Sequence, residues 1–189
     1  MLVQEKLYTV DEFWEVFGET KHLELVKGVP VEMSPTGEAH GIVSMWLGFL
    51  ILTHVEKNDL GAVTAAETGY VLASEPAIVR APDVAFIAKS RLTGPSSEKY
   101  FPGAPDLAVE VVSPNDKAGI IHDKVLDYLH AGTRLVWVVY PDSKTVMAYQ
   151  PNANAHLYTA SDTLDGGSVL SGLSLPVSNI FKKLREETA

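Results

Sequence analysis

The sequence predicts a single α/β domain over residues 1–189, with a mixed β-sheet flanked by helices and a hairpin on its N-terminal side. Three observations predict it. The run Leu107-Ala108-Val109-Glu110-Val111-Val112, opened by Pro105-Asp106 and closed by Ser113-Pro114, is apolar enough for a central strand covered on both faces. Two longer segments, 38–57 and 117–130, carry apolar residues at helical spacing. A chain of 189 residues, 46% of them hydrophobic, can bury a sizeable core.

Each element follows in order. Thr9-Val10-Asp11-Glu12 has the form of a capping box and starts a short helix that runs to about Phe17. Residues 23–26 and 29–33 read as two strands joined tightly at Lys27-Gly28, a hairpin. From 38 to 57, Ile42, Val43, Trp46, Leu47, Leu50 and Ile51 follow helical spacing and make one long helix, with Trp46 assigned to the core. Strands are expected over 62–66, 70–73, 83–88 and 107–112. The Ser-, Gly- and Pro-rich segment 89–104 is a long loop between the last two, and such loops are often functional. A second helix runs over 117–130 and stops at Gly132. Residues 134–140 and 145–150 form a further strand pair turning at Pro141-Asp142-Ser143-Lys144, and a short charged helix follows Ser178.

Composition narrows the functions. The absence of cysteine removes disulfides and thiolate zinc sites and fits a reducing compartment. The longest apolar stretch, 42–52, is short for a bilayer span, and the N-terminus has no basic-then-apolar signal pattern, so no membrane role and a cytoplasmic location are expected. With 15 basic and 24 acidic residues the net charge is −9, which counts against extensive sequence-independent phosphate binding. A metal-dependent site meeting one phosphate locally is compatible with it.

Glu110 is the anomaly in this pattern. A carboxylate taken out of water without a partner costs several kcal/mol, so a cation, a hydrogen-bond nest or a metal ion must compensate it. A second acid, Asp83, opens the run Asp83-Val84-Ala85-Phe86-Ile87 directly after Pro82. Two acids on two apolar strands suggest a shared cation. On the following helix, Lys124 lies on one face with Ile120, Ile121 and Tyr128, flanked by Asp123 and Asp127. That face points Lys124 at the sheet; the alternative is a snorkelling stem with its ammonium at the rim.

Pro82-Asp83 followed by Glu110-Val111-Val112 resembles the core of the PD-(D/E)XK nucleases, with Val112 in the terminal lysine position. In one branch that lysine has moved into the next helix, where Lys124 stands. More specifically, the ordered series Glu24-Leu25-Val26-Lys27-Gly28, His40, Ala81-Pro82-Asp83-Val84, Pro105 through Pro114, Asp123-Lys124, Tyr128, Gly132 and Trp137-Val138-Val139 resembles the Uma-two family from Tyr8 to about Ile180. The resemblance implies a restriction-endonuclease-like fold with a strongly bent sheet. It also implies Asp83 and Glu110 as metal-binding acids, the Val111 backbone carbonyl as a further ligand, Lys124 as the migrated lysine and Glu24 as an acid near the metal. Mg²⁺ or Mn²⁺ is the implied ion, DNA the substrate by fold analogy, and a homo-oligomer the assembly, since cutting both strands needs two sites. The implied activity is a metal-dependent endonuclease; the alternative is a catalytically silent binding or assembly module. Lys27 stands where the family usually has an acid before the glycine, and Val112 leaves catalysis to Lys124 alone.

Other residues carry less. His40 offers a contact to phosphate or metal, against the plainer reading of a helix-start histidine packed on the hairpin. His22, His54, His122 and His130 read as surface residues, and no two histidines have zinc spacing on one face. Ser113 lacks a Gly-x-Ser-x-Gly elbow, and Asp106 reads as a cap at the strand entrance.

Overall fold

The computed structural model describes residues 6–18, 22–152 and 154–185. Helix α1 (Val10–Phe17) begins at the expected capping box: the Thr9 hydroxyl accepts from the Glu12 N–H, and the Glu12 carboxylate accepts from the Thr9 N–H. Its buried Phe13 packs on strand β1 (Leu23–Val26), which pairs with β2 (Val29–Glu32). The turn between them places Lys27 and Gly28 at φ 52° and 82°, the left-handed pair that a tight two-residue hairpin requires.

Helix α2 (Glu38–Asn58) buries Val43, Leu47, Ile51 and Val55 against the central sheet, a stripe repeating every fourth residue. Its opposite face exposes Met45, Phe49 and Leu52. Among the described residues it is the one helix long and apolar enough to cross a membrane, by length and composition. Trp46 does not enter the core as expected; it is half-buried, and its indole N–H donates to the Asn179 carbonyl.

The strands form three sheets instead of the single sheet expected. The central one runs β10-β9-β8-β7-β6-β3, built from β3 (Gly61–Ala65), β6 (Val84–Ala88), β7 (Leu107–Val111), β8 (Leu135–Tyr140), β9 (Thr145–Gln150) and β10 (Asn154–Tyr158). Its β7–β8 pair is parallel, joined by the crossover helix α3 (Ala118–His130), and the other pairs are antiparallel. Every residue of β7 is buried, because α2 covers one face and α3 the other.

A second sheet, β2-β1-β5-β4, unites the hairpin with β4 (Tyr70–Ser74) and β5 (Ala77–Arg80). The hairpin is thus one edge of this sheet. Strand β5 has only four residues between Pro76 and Pro82 and did not stand out in the sequence. It leads through Ala81-Pro82-Asp83 directly into β6, so one short turn carries the chain from the small sheet to the large one. The third sheet pairs β11 (Thr163–Gly166) with β12 (Leu170–Pro176). The final helix, α4 (Val177–Phe181), buries Val177, Ile180 and Phe181, so it is apolar and the expected charged residues follow it.

Candidate active site

Strand alternation decides where Glu110 points. Leu107, Val109 and Val111 belong to the cluster under α2, whereas Ala108 belongs to the cluster under α3, and Glu110 shares its face. On α3, Ile121, Lys124, Val125 and Tyr128 form the buried stripe that meets it. The Lys124 ammonium donates to Glu110 Oε2 at 3.0 Å and pairs with Glu24 Oε1 at 3.2 Å. The Tyr128 hydroxyl donates to Glu110 Oε1 at 2.8 Å. At 5% exposure Lys124 is buried whole, which removes the snorkelling alternative.

Glu24, on β1, is 1% exposed and satisfied on both oxygens. Its Oε2 accepts from Arg80 Nη1 at 2.8 Å, and its Oε1 also accepts from the Ala81 N–H at 3.1 Å. Arg80, the last residue of β5, turns Nε and Nη2 to Asp127 Oδ2 at 2.9 and 2.6 Å. Asp127, Arg80, Glu24, Lys124 and Glu110 therefore alternate in sign across α3, β5, β1 and β7. Arg80 escaped sequence reasoning, although a charged residue closing Ala77-Ile78-Val79 is the same anomaly as Glu110. Helical spacing puts Tyr128 on the Lys124 face without revealing its hydrogen bond to Glu110.

Asp83 stands at the entrance to β6. The antiparallel pairs Phe86↔Leu107, Ala85↔Ala108 and Val84↔Val109, carried one residue further, set Asp83 across from Glu110. Its Oδ2 accepts from the Val111 N–H at 2.7 Å and lies 3.1 Å from His40 Nε2. His40, near the start of α2, is itself held by Ser44, whose hydroxyl lies 3.4 Å from Nδ1 and donates to the His40 carbonyl at 2.8 Å. His40 thus contacts Asp83 directly.

One ammonium is shared between two buried carboxylates, and the electrostatics follow. Burial opposes charge on Lys124, yet Glu110 and Glu24 together hold its proton more tightly than usual. Glu110 has only a share of that cation. Burial first, then the charges of Asp83 and Glu24, push its carboxyl up to about 7 against the pull of Lys124. Burial weakens His40 as a base, but the hydrogen bond and charge of Asp83 prevail, and its pKa is raised.

Asp106, expected as a cap, is a buried hub. Its Oδ2 accepts from the Ala88 N–H at 2.8 Å and from Arg91 at 3.1 Å, and its Oδ1 pairs with Arg134 at 3.0 Å. These contacts anchor both ends of the 89–104 segment and leave Asp106 outside the Glu110 cluster.

A divalent ion is what the fold family implies for Asp83 and Glu110. Among the described residues no three His, Cys, Asp or Glu side chains are arranged to hold a metal, and both Glu110 oxygens are engaged by Lys124 and Tyr128. The chemistry nevertheless fits. Two carboxylates and a strand-end carbonyl are hard oxygen donors of the kind Mg²⁺ and Mn²⁺ prefer. Beyond the effect of burial, the charges of Asp83 and Glu24 add to the rise of the Glu110 carboxyl, and a cation there would offset them.

Comparison with known proteins agrees with this architecture. A family described as "Uma2: Putative restriction endonuclease" matches residues 10–180. No curated protein matches. Among solved structures, a "putative nuclease belonging to DUF820" from Anabaena variabilis superposes with a TM-score of 0.81 at 20% identity, covering 93% of this chain and 98% of that one. At that identity the likeness shows a shared restriction-endonuclease-like fold. With the family matched over most of its length, the chain belongs to the Uma2 family.

Proposed function

We propose that the chain is a Mg²⁺- or Mn²⁺-dependent endonuclease that hydrolyses phosphodiester bonds of nucleic acid, with DNA as the expected substrate. The observation that carries this reading is Lys124, reaching from α3 to within 3.0 Å of Glu110 while the β6–β7 register sets Asp83 beside them. The lysine missing at Val112 is supplied from the next helix. Family membership supports the reading, as does the nuclease description of the Anabaena protein of the same fold.

Asp83, Glu110 and the Val111 carbonyl would hold the ion. When bound, it supplies positive charge that polarises a phosphodiester and acidifies an attacking water. The remaining roles belong to the chain itself. Lys124 stays protonated between its carboxylates, and its buried positive charge would favour negative charge developing on phosphate without touching it. Glu24 and Arg80 fix Lys124 from behind, Tyr128 orients Glu110, and His40 orients Asp83.

A second reading, a catalytically silent binding or assembly module of this fold, is favoured by the engagement of both Glu110 oxygens in internal hydrogen bonds. Calorimetric titration with Mn²⁺ separates the two. The nuclease reading expects saturable binding to the wild type and its loss in Asp83→Ala. Absence of binding to the wild type would overturn it.

A further inference from the structure

A cavity of about 1080 Å³ opens beside the acidic cluster, and Asp83 and His40 lie in its wall while Glu24, Glu110 and Lys124 stay buried. Its size is at the upper end for small-molecule clefts. Aromatic and apolar side chains dominate its lining: Trp14 and Phe17 from α1, Tyr100, and Met45, Phe49 and Leu52 from α2. The Trp14 and Tyr100 rings meet edge to face at 5.0 Å, and Phe49 is 46% exposed. Basic groups are scarce there. Among the described residues no arginine lines the cavity, the lining lysine Lys99 lies 3.6 Å from Asp11, and His22 is paired with Glu67 at 3.0 Å.

A duplex presents two dense rows of phosphates and needs a cationic surface, which this wall and a net charge of −9 do not provide. An unpaired strand carries one row of phosphates at lower charge density and exposes its base faces, so stacking on aromatic side chains can carry a share of the binding that a duplex must draw from cations. Extending the nuclease reading above, we infer that this cleft takes unpaired nucleotides, with bases against the Trp14–Tyr100–Phe49 wall and a phosphate at the Asp83–His40 end. The substrate class is then single-stranded or locally unpaired nucleic acid. A second active site for an opposite strand is not required.

The test offers one oligonucleotide sequence as a single strand and as a blunt duplex. Binding is followed through tryptophan fluorescence in EDTA and again in Ca²⁺, and cleavage is followed separately in Mn²⁺. Trp137 is fully buried, whereas Trp46 stacks on Phe49 at 5.2 Å, so the titration is repeated in Trp46→Phe, where Trp14 is the reporter. The strand should quench fluorescence and bind at least tenfold more tightly than the duplex. Trp14→Phe should abolish most of the quench while keeping affinity, and the surface change Phe49→Ala should weaken binding by about tenfold. Equal or tighter duplex binding, or no strand binding in either buffer, overturns the inference. So does a stable dimer in solution that Phe49→Ala dissociates, since that face would then be covered by a second copy. Strand binding without cleavage defeats the nuclease reading and leaves this inference standing. Equal cleavage of strand and duplex does the reverse.

Discussion

Replacing Glu110 by Gln should stabilise the metal-free protein at neutral and alkaline pH. In the unfolded chain a glutamate titrates near 4.5, and in the folded protein burial with the charges of Asp83 and Glu24 raises Glu110 to about 7. Between those values the folded state binds a proton that the unfolded state has released, so stability falls as pH rises. The contribution is fully present below about pH 4.5 and is lost once pH passes about 7. A rise of that size amounts to about 3 kcal/mol. For a domain of this length that corresponds to roughly 6–12 °C in Tm. Glutamine keeps the shape, offers its oxygen to Lys124 and its amide N–H to the Tyr128 hydroxyl oxygen. Lys124 meanwhile keeps Glu24 at 3.2 Å. Scanning calorimetry in EDTA across this pH range should therefore show the variant melting higher near pH 8, with the two curves converging toward pH 4.5. A variant that is less stable than the wild type at pH 8 by several kcal/mol, and so melts lower, would refute the reasoning. Glu110 would then be half of a structural ion pair, and the metal site would have to be abandoned.

Two further perturbations test the surroundings. Arg80→Met leaves Glu24 and Asp127 without the guanidinium between them, and should cost about 3–5 kcal/mol in urea unfolding; a loss below about 1 kcal/mol would show that Arg80 does not hold the cluster together. The His40 imidazole, followed by NMR, should titrate above its ordinary 6.5. The stability contributed by its contact with Asp83 is present below about 6.5 and disappears as pH rises through the shifted value, and a midpoint below 6.5 would contradict the contact.

The parts of the site that were legible in the sequence were those that broke a local rule. Glu110 inside an apolar strand demanded a partner, and the α3 spacing aimed Lys124 and Tyr128 at it. The capping box, the Lys27-Gly28 hairpin and the two long helices follow from chemistry confined to a few neighbouring residues, and they sit where expected. What escaped depends on register between distant segments. Arg80 joins Glu24 to Asp127 across 56 and 47 residues of sequence, and four-residue β5 carries too short a pattern to announce itself. His40 meets Asp83 only because α2 lies across the end of β6 and β7, which helical periodicity cannot reveal. The buried face of α2 was legible, but Trp46 sits at its margin, where spacing alone does not separate core from rim. Strands β11 and β12 expose alternate residues and carry few β-branched side chains, so their pattern is weak.

Phosphodiester cleavage by the wild type and by Lys124→Ala is the most direct measurement, made in Mn²⁺ with a chelator control at a temperature where both are folded. The proposal rests on an ammonium delivered from α3 to the place Val112 leaves without a lysine. It predicts Mn²⁺-dependent cleavage by the wild type, a loss of about 100-fold or more in the variant, and nearly unchanged Mn²⁺ affinity. Equal rates in the two proteins would contradict it.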